Sequence, residues 1–431
     1  MQVLTKRGIY YGWVIVGVSF LTLTLAMGVR FTFGVFYINI LAETGWSRAS
    51  TAGIFSLSML VYAPAALGVG AAFDWLGPRR MFPLATLLLG IGFFLCSRIT
   101  ALWQFYLYYG VFVGIAFTAI GFIPHVSLIS RWFVRRRGLA TSLALAGQGA
   151  GALLFAPLSE YLIGQYGWQT SFLVYAIGIP GLLLPLMLLL YRDNPASLGL
   201  YPDGDQAPRV QPHVAPLRPP AMVDRSYLRV IKTRVFWALF LVVFTNAFNL
   251  MTFIVHQNQY LVDIGFEPGF AAWMLGLNGI LRAGGSVIWG SLSDRITRET
   301  SFTICVLFGV IAMPCLISAQ TSPDTWRVLL FVLLIGVGYG GVGVLYGTSV
   351  ADLFQGPNIG KILGILDVGF GLGAALGTYL AGFLYDRLHT YQISFYMVMG
   401  MMLAAIVGMW VAAPRSVRQP SAEHASSPAK S

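Results

Sequence analysis

The chain has 431 residues, of which 57% are hydrophobic and only 10% charged, and it carries a net charge of +11. A soluble globular protein carries roughly 25% charged residues, so composition excludes a soluble domain and points to an all-α polytopic membrane protein. Apolar runs of 18 residues or more recur along the whole length, each long enough to cross a hydrocarbon core of about 30 Å. In chain order they predict spans at 10–36, 49–73, 81–98, 102–130, 139–163 and 169–191. Six more follow at 234–262, 269–293, 301–319, 326–354, 361–386 and 391–413. The first run lacks a small-residue cleavage site and reads as a span, not a removed signal peptide. The stretch between spans six and seven is rich in proline and charge and reads as a linker. The expected organisation is a six-helix half over 1–191, a linker over 192–233, a second six-helix half over 234–413 and a disordered tail over 414–431.

Charge distribution orients the spans. Lys6, Arg7, Arg79, Arg80, Arg131, Arg135 to Arg137, Arg295, Arg298, Lys361, Arg415, Arg418 and the basic linker residues fall on one side, whereas Arg48, Arg98, Arg327 and Arg387 fall on the other. By the positive-inside rule the first side is cytoplasmic, which puts both termini in the cytoplasm and predicts an inner cell-membrane protein. The excess of basic charge is therefore topological, and no nucleic-acid partner is expected. Cys96, Cys305 and Cys315 lie in apolar runs at spacings that suit neither a metal site nor a disulfide framework. No cofactor or metal is expected. The few polar residues in spans contain no nucleophile–base pair, so an enzyme is not expected either.

Two internal repeats are legible. "GAAFDWLGPRR" (70–80) and "GSLSDRITRET" (290–300) each place a glycine, an aspartate four residues on and then basic residues, and they lie about 220 residues apart. "GQGAG" (147–151) and "GFGLG" (369–373) repeat at nearly the same offset. Glycines so spaced let helices approach closely where two halves rock against each other. The first turn, with Gly70, Asp74, Gly77, Arg79 and Arg80, resembles the cytoplasmic-loop motif of the major facilitator superfamily. The second matches in part, at Gly290, Asp294, Arg295 and Arg298. The resemblance implies twelve transmembrane helices in two six-helix halves, with these acids and bases forming a latch that holds the inward-closed state.

Ionisable residues within spans narrow the chemistry, because a charge at bilayer depth costs at least about 2.5–3.5 kcal/mol and is a functional candidate by default. Arg282, in "GLNGILRAGGS" (276–286), lies halfway through span eight. Asn278 is one helical turn before it and shares its face. A guanidinium fork beside an amide suits a small carboxylate; the alternative is a structural arginine paired with Asp367 of span eleven. Asp367 itself is either a proton carrier released when a carboxylate competes for Arg282, or a plain helix–helix tie. Arg30 of span one either meets substrate or snorkels to the interface. His256 of span seven is a second proton-carrier candidate and otherwise a hydrogen-bonded structural residue. His125 of span four and Tyr339 of span ten are substrate candidates whose alternative is packing. Asp352 and Asp386, near span ends, read as structural.

A narrower resemblance lies in "RWFVRRRGLATSLALAGQGAG" (131–151), which is similar to the second signature of the monocarboxylate porter family. It carries Trp132, Phe133, Arg135 to Arg137, Leu139, Ala140, Ala146, Gly147 and Gly151, and departs at Ser142. Together with "YYGWVIV", "GVRFTFGVF" and "GWSRAS" it looks like the bacterial branch, which includes lactate and oxalate/formate transporters. The resemblance implies that Arg282 binds a carboxylate. Animal members carry a proton-accepting aspartate where this chain has Asn278, so a proton would pass through Asp367 or His256. Oxalate exchangers use a lysine in span eleven; here Lys361 sits at the edge and Asp367 deeper, which favours a monoanion. The function expected is proton-coupled symport of a small monocarboxylate such as lactate or pyruvate, by a monomer in the bilayer. An oxalate/formate-type anion exchanger, a multidrug exporter of the same fold and a sensor on a transporter scaffold are the alternatives.

Overall fold

Hydrocarbon offers a backbone no hydrogen-bond partner, so each crossing segment satisfies its own N–H and C=O groups by coiling into a helix. The computed structural model describes residues 10–205, 227–293, 295–320, 324–354 and 359–412, and no strand occurs among them. The helices are α1 (Gly12–Thr44), α2 (Arg48–Leu76), α3 (Pro78–Cys96) and α4 (Leu102–Trp132), then α5 and α6 within Arg137–Leu190. They continue as α7 (Arg234–Asp263), α8 (Pro268–Leu292), α9 (Arg298–Ser318), α10 (325–353), α11 (Ile359–Leu388) and α12 (Gln392–Ala412). The stretch Arg137–Leu190 turns back at Gly167, whose φ of 78° only glycine adopts without strain, so α5 covers 137–166 and α6 covers 168–190. Asp294 and the greater parts of the predicted linker and tail lie outside the described residues.

Local chemistry sets the boundaries. Ser47 caps α2 by accepting the Ser50 N–H at 3.1 Å, and Thr233 caps α7 by accepting that of Phe236 at 3.3 Å. Gly77 at φ 73° followed by Pro78 in the first turn makes the sharp corner from α2 into α3. Three helices are irregular inside. α1 breaks at Thr32, whose hydroxyl donates to Val29 O at 2.8 Å. α4 winds as a π-helix over Tyr106–Val113, and α10 as a π-helix over Leu334–Gly338 followed by a 3₁₀ turn at Tyr339–Gly341. Widened turns of this kind recur at functional sites because they re-aim side chains.

The first six helices share one apolar core around Phe36, Phe93, Trp132 and Phe172, and most of the last six share another around Phe302, Phe331, Tyr339 and Met402. The two glycine repeats meet the seam between these groups in the same way. A Cβ on the middle glycine of each would strike the other group: Gly149 at 2.9 Å from Gly279 O of α8, and Gly371 at 2.8 Å from Met59 O of α2. The flanking glycines pack instead within their own group, Gly147 and Gly151 on α1 and Gly369 and Gly373 on α7. α5 with α8 and α2 with α11 are therefore close crossings of the seam, as is α1 with α7, where a Cβ on Gly34 would strike Ile254 O, and small residues make them so.

Loops alternate between a face that carries the basic clusters and an opposite face. On the basic face the segment after α6 folds back over the α4–α5 loop. Asp203 accepts the N–H groups of Val134, Arg135 and Arg136 at 3.0, 2.9 and 3.3 Å, and Asp205 pairs with Arg135 at 2.5 Å. Burial alone would push the Asp203 carboxyl up; the three N–H bonds outweigh it and hold the group below the usual carboxylate range. A depressed folded value contributes stability above the unfolded pKa and loses it as pH falls through the folded one. Asp203→Asn is expected to lower the melting temperature in detergent at pH 7, by a loss of about 1 kcal/mol, and to narrow the difference between pH 7 and acid pH.

Candidate functional site

Arg282 sits mid-way along α8 and is only partly exposed. Among the described residues it has no ion pair and no hydrogen bond. Its backbone is met closely by α10: a Cβ at Gly340 would lie 2.8 Å from the Cα of Arg282. That approach, made possible by the glycine-rich stretch of α10, brings the neighbouring Tyr339 hydroxyl and Cys305 into electrostatic range of the guanidinium. Asn278 stands one turn earlier on α8, 8% exposed. α7 closes the cluster with Asn249, whose Nδ2 donates to the Tyr339 hydroxyl at 3.1 Å while its Oδ1 is buried without a partner. A buried carbonyl left unmatched costs about 1–3 kcal/mol. The sequence reading did not single out Asn249. The signal was an asparagine pair, Asn246 and Asn249, three residues apart in an otherwise apolar run.

Arg30 of α1 is 6% exposed and likewise has no acid beside it. Its Nη2 contacts Met59 Sδ at 3.4 Å, its Nε has no partner, and its guanidinium lies over the rings of Phe117 at 5.4 Å and Tyr62 at 5.7 Å. Cation–π contact offsets part of the burial cost but leaves the fork free to hold an anion. Asp367 is partly buried on α11 and forms no ion pair among the described residues, so the Arg282–Asp367 pair allowed for by the sequence is not made. Its carboxylate instead lies within electrostatic range of Tyr62 and Tyr346, and Tyr62 is also in range of Arg30.

The two histidines are differently employed. His125 is fully buried, with Nδ1 on Gly121 O at 2.9 Å, Nε2 on the Tyr191 hydroxyl at 3.1 Å and Phe82 against its ring. Both nitrogens are taken up, so the substrate role considered for it gives way to packing inside the first six helices. His256 is also fully buried, with Nε2 at 2.8 Å from Thr378 O and Nδ1 at 3.1 Å from the Tyr391 hydroxyl. A carbonyl at Nε2 requires the proton there, which makes Nδ1 the acceptor of Tyr391.

That tyrosine belongs to a network that ties the two groups of helices together on the face opposite the basic loops. Arg48, at the start of α2, forms a two-pronged pair with Asp263 at the end of α7, at 2.6 and 3.0 Å, and its Nη1 donates to Tyr391 at 2.9 Å. Its guanidinium lies 3.5 Å above the Tyr385 ring. Asp386 of α11 accepts the backbone N–H groups of Arg48 and Ala49 at 2.9 and 2.8 Å, capping α2 from the other group of helices. On the basic face the ion pairs described stay inside one group or the other. Asp74 pairs with Arg131 at 3.6 Å, Arg298 with Asp352 at 3.2 Å, and Asp193 accepts the Arg79 N–H at 3.0 Å, each within its own group. A cavity of about 110 Å³ lies between α2 and α4 inside the first group, lined by Val69, Phe73, Asp74, Thr118, Pro124 and Ser127. The contacts described for the expected latch residues Asp74, Arg79 and Arg298 thus lie inside their own groups of helices.

The family profile of the Major Facilitator Superfamily matches residues 18–354 and, again, 239–431. The chain belongs to this superfamily. As a major facilitator protein it is a multi-pass membrane transporter and not an enzyme. It is 29% identical over 420 residues to Monocarboxylate transporter 13 of Bos taurus, covering 94% of this chain and 89% of that one. It is 26% identical to Monocarboxylate transporter 3 of Rattus norvegicus, covering 90% and 76%. The fold matches that of a D-xylose–proton symporter with a TM-score of 0.70 at 17% identity, over 93% of this chain and 98% of that one. It also matches, at 0.67 and 18% over 95% and 97%, an inward-facing, unoccupied bacterial homologue of the human lysosomal transporter Spinster.

Proposed function

We propose that this transporter moves a small monocarboxylate together with a proton across the inner cell membrane, by alternating access of two six-helix halves (1–191 and 234–413) with both termini cytoplasmic. The observation that carries the reading is Arg282, a guanidinium in mid-span with no partner of its own and with Asn278 and the Tyr339 hydroxyl beside it. A bound carboxylate supplies the missing partner through a two-pronged, charge-assisted contact. Arg30 adds a second positive charge and Asp367 a negative one, so the empty site carries one net positive charge; a monoanion bound together with a proton on Asp367 leaves that charge unchanged, as electroneutral symport requires. Asp367, unpaired and partly buried, is the group best suited to take the co-transported proton. His256 is committed to the network around Arg48, which suits coupling of that network to the site more than carriage of protons through it.

In this reading the structure is the inward-open conformer. The Arg48–Asp263–Asp386 network closes the outer face, while Asp74, Asp294 and their basic neighbours would engage when the inner face closes. Basic loops on the open face support a cytoplasmic assignment for it. The relatives named as monocarboxylate transporters support the substrate class. One feature favours a second reading, exchange of a small dicarboxylate: Arg30 and Arg282 together match two negative charges.

Uptake of labelled lactate, pyruvate, oxalate and a cationic dye into proteoliposomes, with and without an inward pH gradient, separates these. Lactate or pyruvate uptake stimulated by the gradient is expected; uptake of oxalate alone, or of the dye alone, overturns the reading. The crossings at Gly149 and Gly371 yield a further expectation. Gly371→Val places a methyl-bearing carbon against Met59 O and is expected to lower uptake at least tenfold, about 1.4 kcal/mol, with normal amounts of protein in the membrane. Unchanged uptake would remove the seam contact from the mechanism.

A further inference from the structure

We propose that Asn249 selects substrates bearing a hydroxyl next to the carboxylate, which makes this a site for 2-hydroxy monocarboxylates in preference to their 2-oxo or unsubstituted counterparts. The inference rests on the reading of Arg282 as the carboxylate ligand and goes beyond it by assigning the second recognition point.

Asn249, Tyr339 and Arg282 come from three helices, α7, α10 and α8, and form one cluster. Tyr339 is fully buried and immediately precedes Gly340, which packs on the backbone of Arg282. Asn249 is fully buried too, and its two amide atoms are in opposite situations. Nδ2 is used, donating to the Tyr339 hydroxyl at 3.1 Å; Oδ1 is buried and unmatched. Because the tyrosine oxygen accepts from Asn249, its own proton is left to donate. The cluster therefore presents two donors for an anion, the Arg282 fork and the Tyr339 hydroxyl, and beside them one acceptor with nothing to accept.

A 2-hydroxy carboxylate has the complementary pattern. Its carboxylate oxygens accept from Arg282 and Tyr339, and the hydroxyl on the adjacent carbon donates to Asn249 Oδ1. A 2-oxo acid would set its carbonyl oxygen against Oδ1, acceptor facing acceptor. An unsubstituted acid would leave Oδ1 as unmatched as it is in the empty site. Sites that hydrogen-bond a substrate hydroxyl discriminate strongly against analogues without it, because the protein group is then left buried and unpaired.

The test is competition against labelled lactate by unlabelled lactate, propionate and pyruvate, using the full-length transporter in proteoliposomes. For the wild type, lactate is expected to compete at least about tenfold better than propionate, and better than pyruvate. Asn249→Leu is expected to bring the three acids within about twofold of one another by weakening lactate more than propionate or pyruvate. Equal competition in the wild type overturns the inference, as does an unchanged order in Asn249→Leu. A wild-type preference for pyruvate overturns it too, since it would mean that the amide presents a donor. Should Asn249→Leu fail to reach the membrane, the wild-type order and Asn249→Ser, which retains an acceptor and keeps the lactate preference, decide the matter. Arg282→Ala separates this inference from the one beneath it. Lost binding of all three acids in that variant, with a flat wild-type order, removes only the role of Asn249. Binding that survives Arg282→Ala, or no lactate binding by the wild type, removes both.

Discussion

Replacing Arg282 by alanine is expected to reduce lactate uptake to the level of empty vesicles while the protein stays folded in the membrane. Two features of the site set the size and the specificity of the effect. Removing one member of a desolvated, charge-paired contact costs 2–5 kcal/mol or more, roughly a thirtyfold to several-thousandfold loss. Folding is spared because Arg282 has no partner in the empty protein, so no acid or carbonyl is orphaned by its removal. The same substitution relieves the cost of a charge in mid-span, and the melting temperature in detergent is expected to stay level or rise. Arg282→Lys keeps the charge but loses the planar fork, and is expected to retain weak uptake. An Arg282→Ala protein that fails to fold would instead mark the residue as structural.

The second large effect concerns the outer network. Arg48 joins α2 to α7 through Asp263, stacks on Tyr385 and reaches Tyr391, whose hydroxyl also meets His256. The Arg48–Asp263 side chains are 16% and 22% exposed, so water screens the pair and its worth falls below that of a fully buried one. Two-pronged geometry and the stacked ring keep it above an ordinary surface pair. Arg48→Ala is expected to cost the closed outer face about 1–2 kcal/mol, a five- to thirtyfold shift toward the outward-open state. A cysteine at Thr51, fully buried in this conformer, would report it. Labelling by an impermeant maleimide added outside is expected to rise in the Arg48→Ala background, and a similar rise is expected in Asp263→Ala. The double variant should label little more than either single one, because both remove the same contact. Unaltered labelling would mean that the glycine seams, not the charges, hold this face closed.

Much of the fold was legible because crossing a bilayer constrains sequence so tightly. Twelve apolar runs, a charged linker and a one-sided basic distribution follow from hydropathy and charge alone, and the helices observed match the runs predicted. The glycine repeats also carried meaning, since GQGAG and GFGLG turn the same middle glycine to the seam. The interior breaks were hidden. Nothing in "YLYYGVFV" distinguishes a π-helix from an α-helix, because both bury apolar side chains alike and the choice depends on neighbouring helices.

The site was half legible for the same reason. Arg282, Arg30 and Asp367 stand out as charges where charges are costly. Asn249 does not, because a neutral amide in a span is common and its unmatched oxygen is a tertiary fact. Arg48 and Asp263 read as ordinary loop-end charges, and only folding brings together residues 215 positions apart. In sequence His256 reads as a proton carrier; the contacts to Thr378 and Tyr391 that turn it toward the network are invisible until α7, α11 and α12 are assembled. His125 shows the converse, a conspicuous residue whose two nitrogens are spent on Gly121 and Tyr191.

The most direct test of the account is calorimetric titration of lactate into the purified wild-type transporter and into Arg282→Ala under identical conditions. The account predicts saturable heat for the wild type and none for the variant, with both proteins showing the same helical content. Binding of equal strength by the two would contradict it, because no other group in the cluster of Arg282, Asn278, Tyr339 and Asn249 carries the charge that a carboxylate requires.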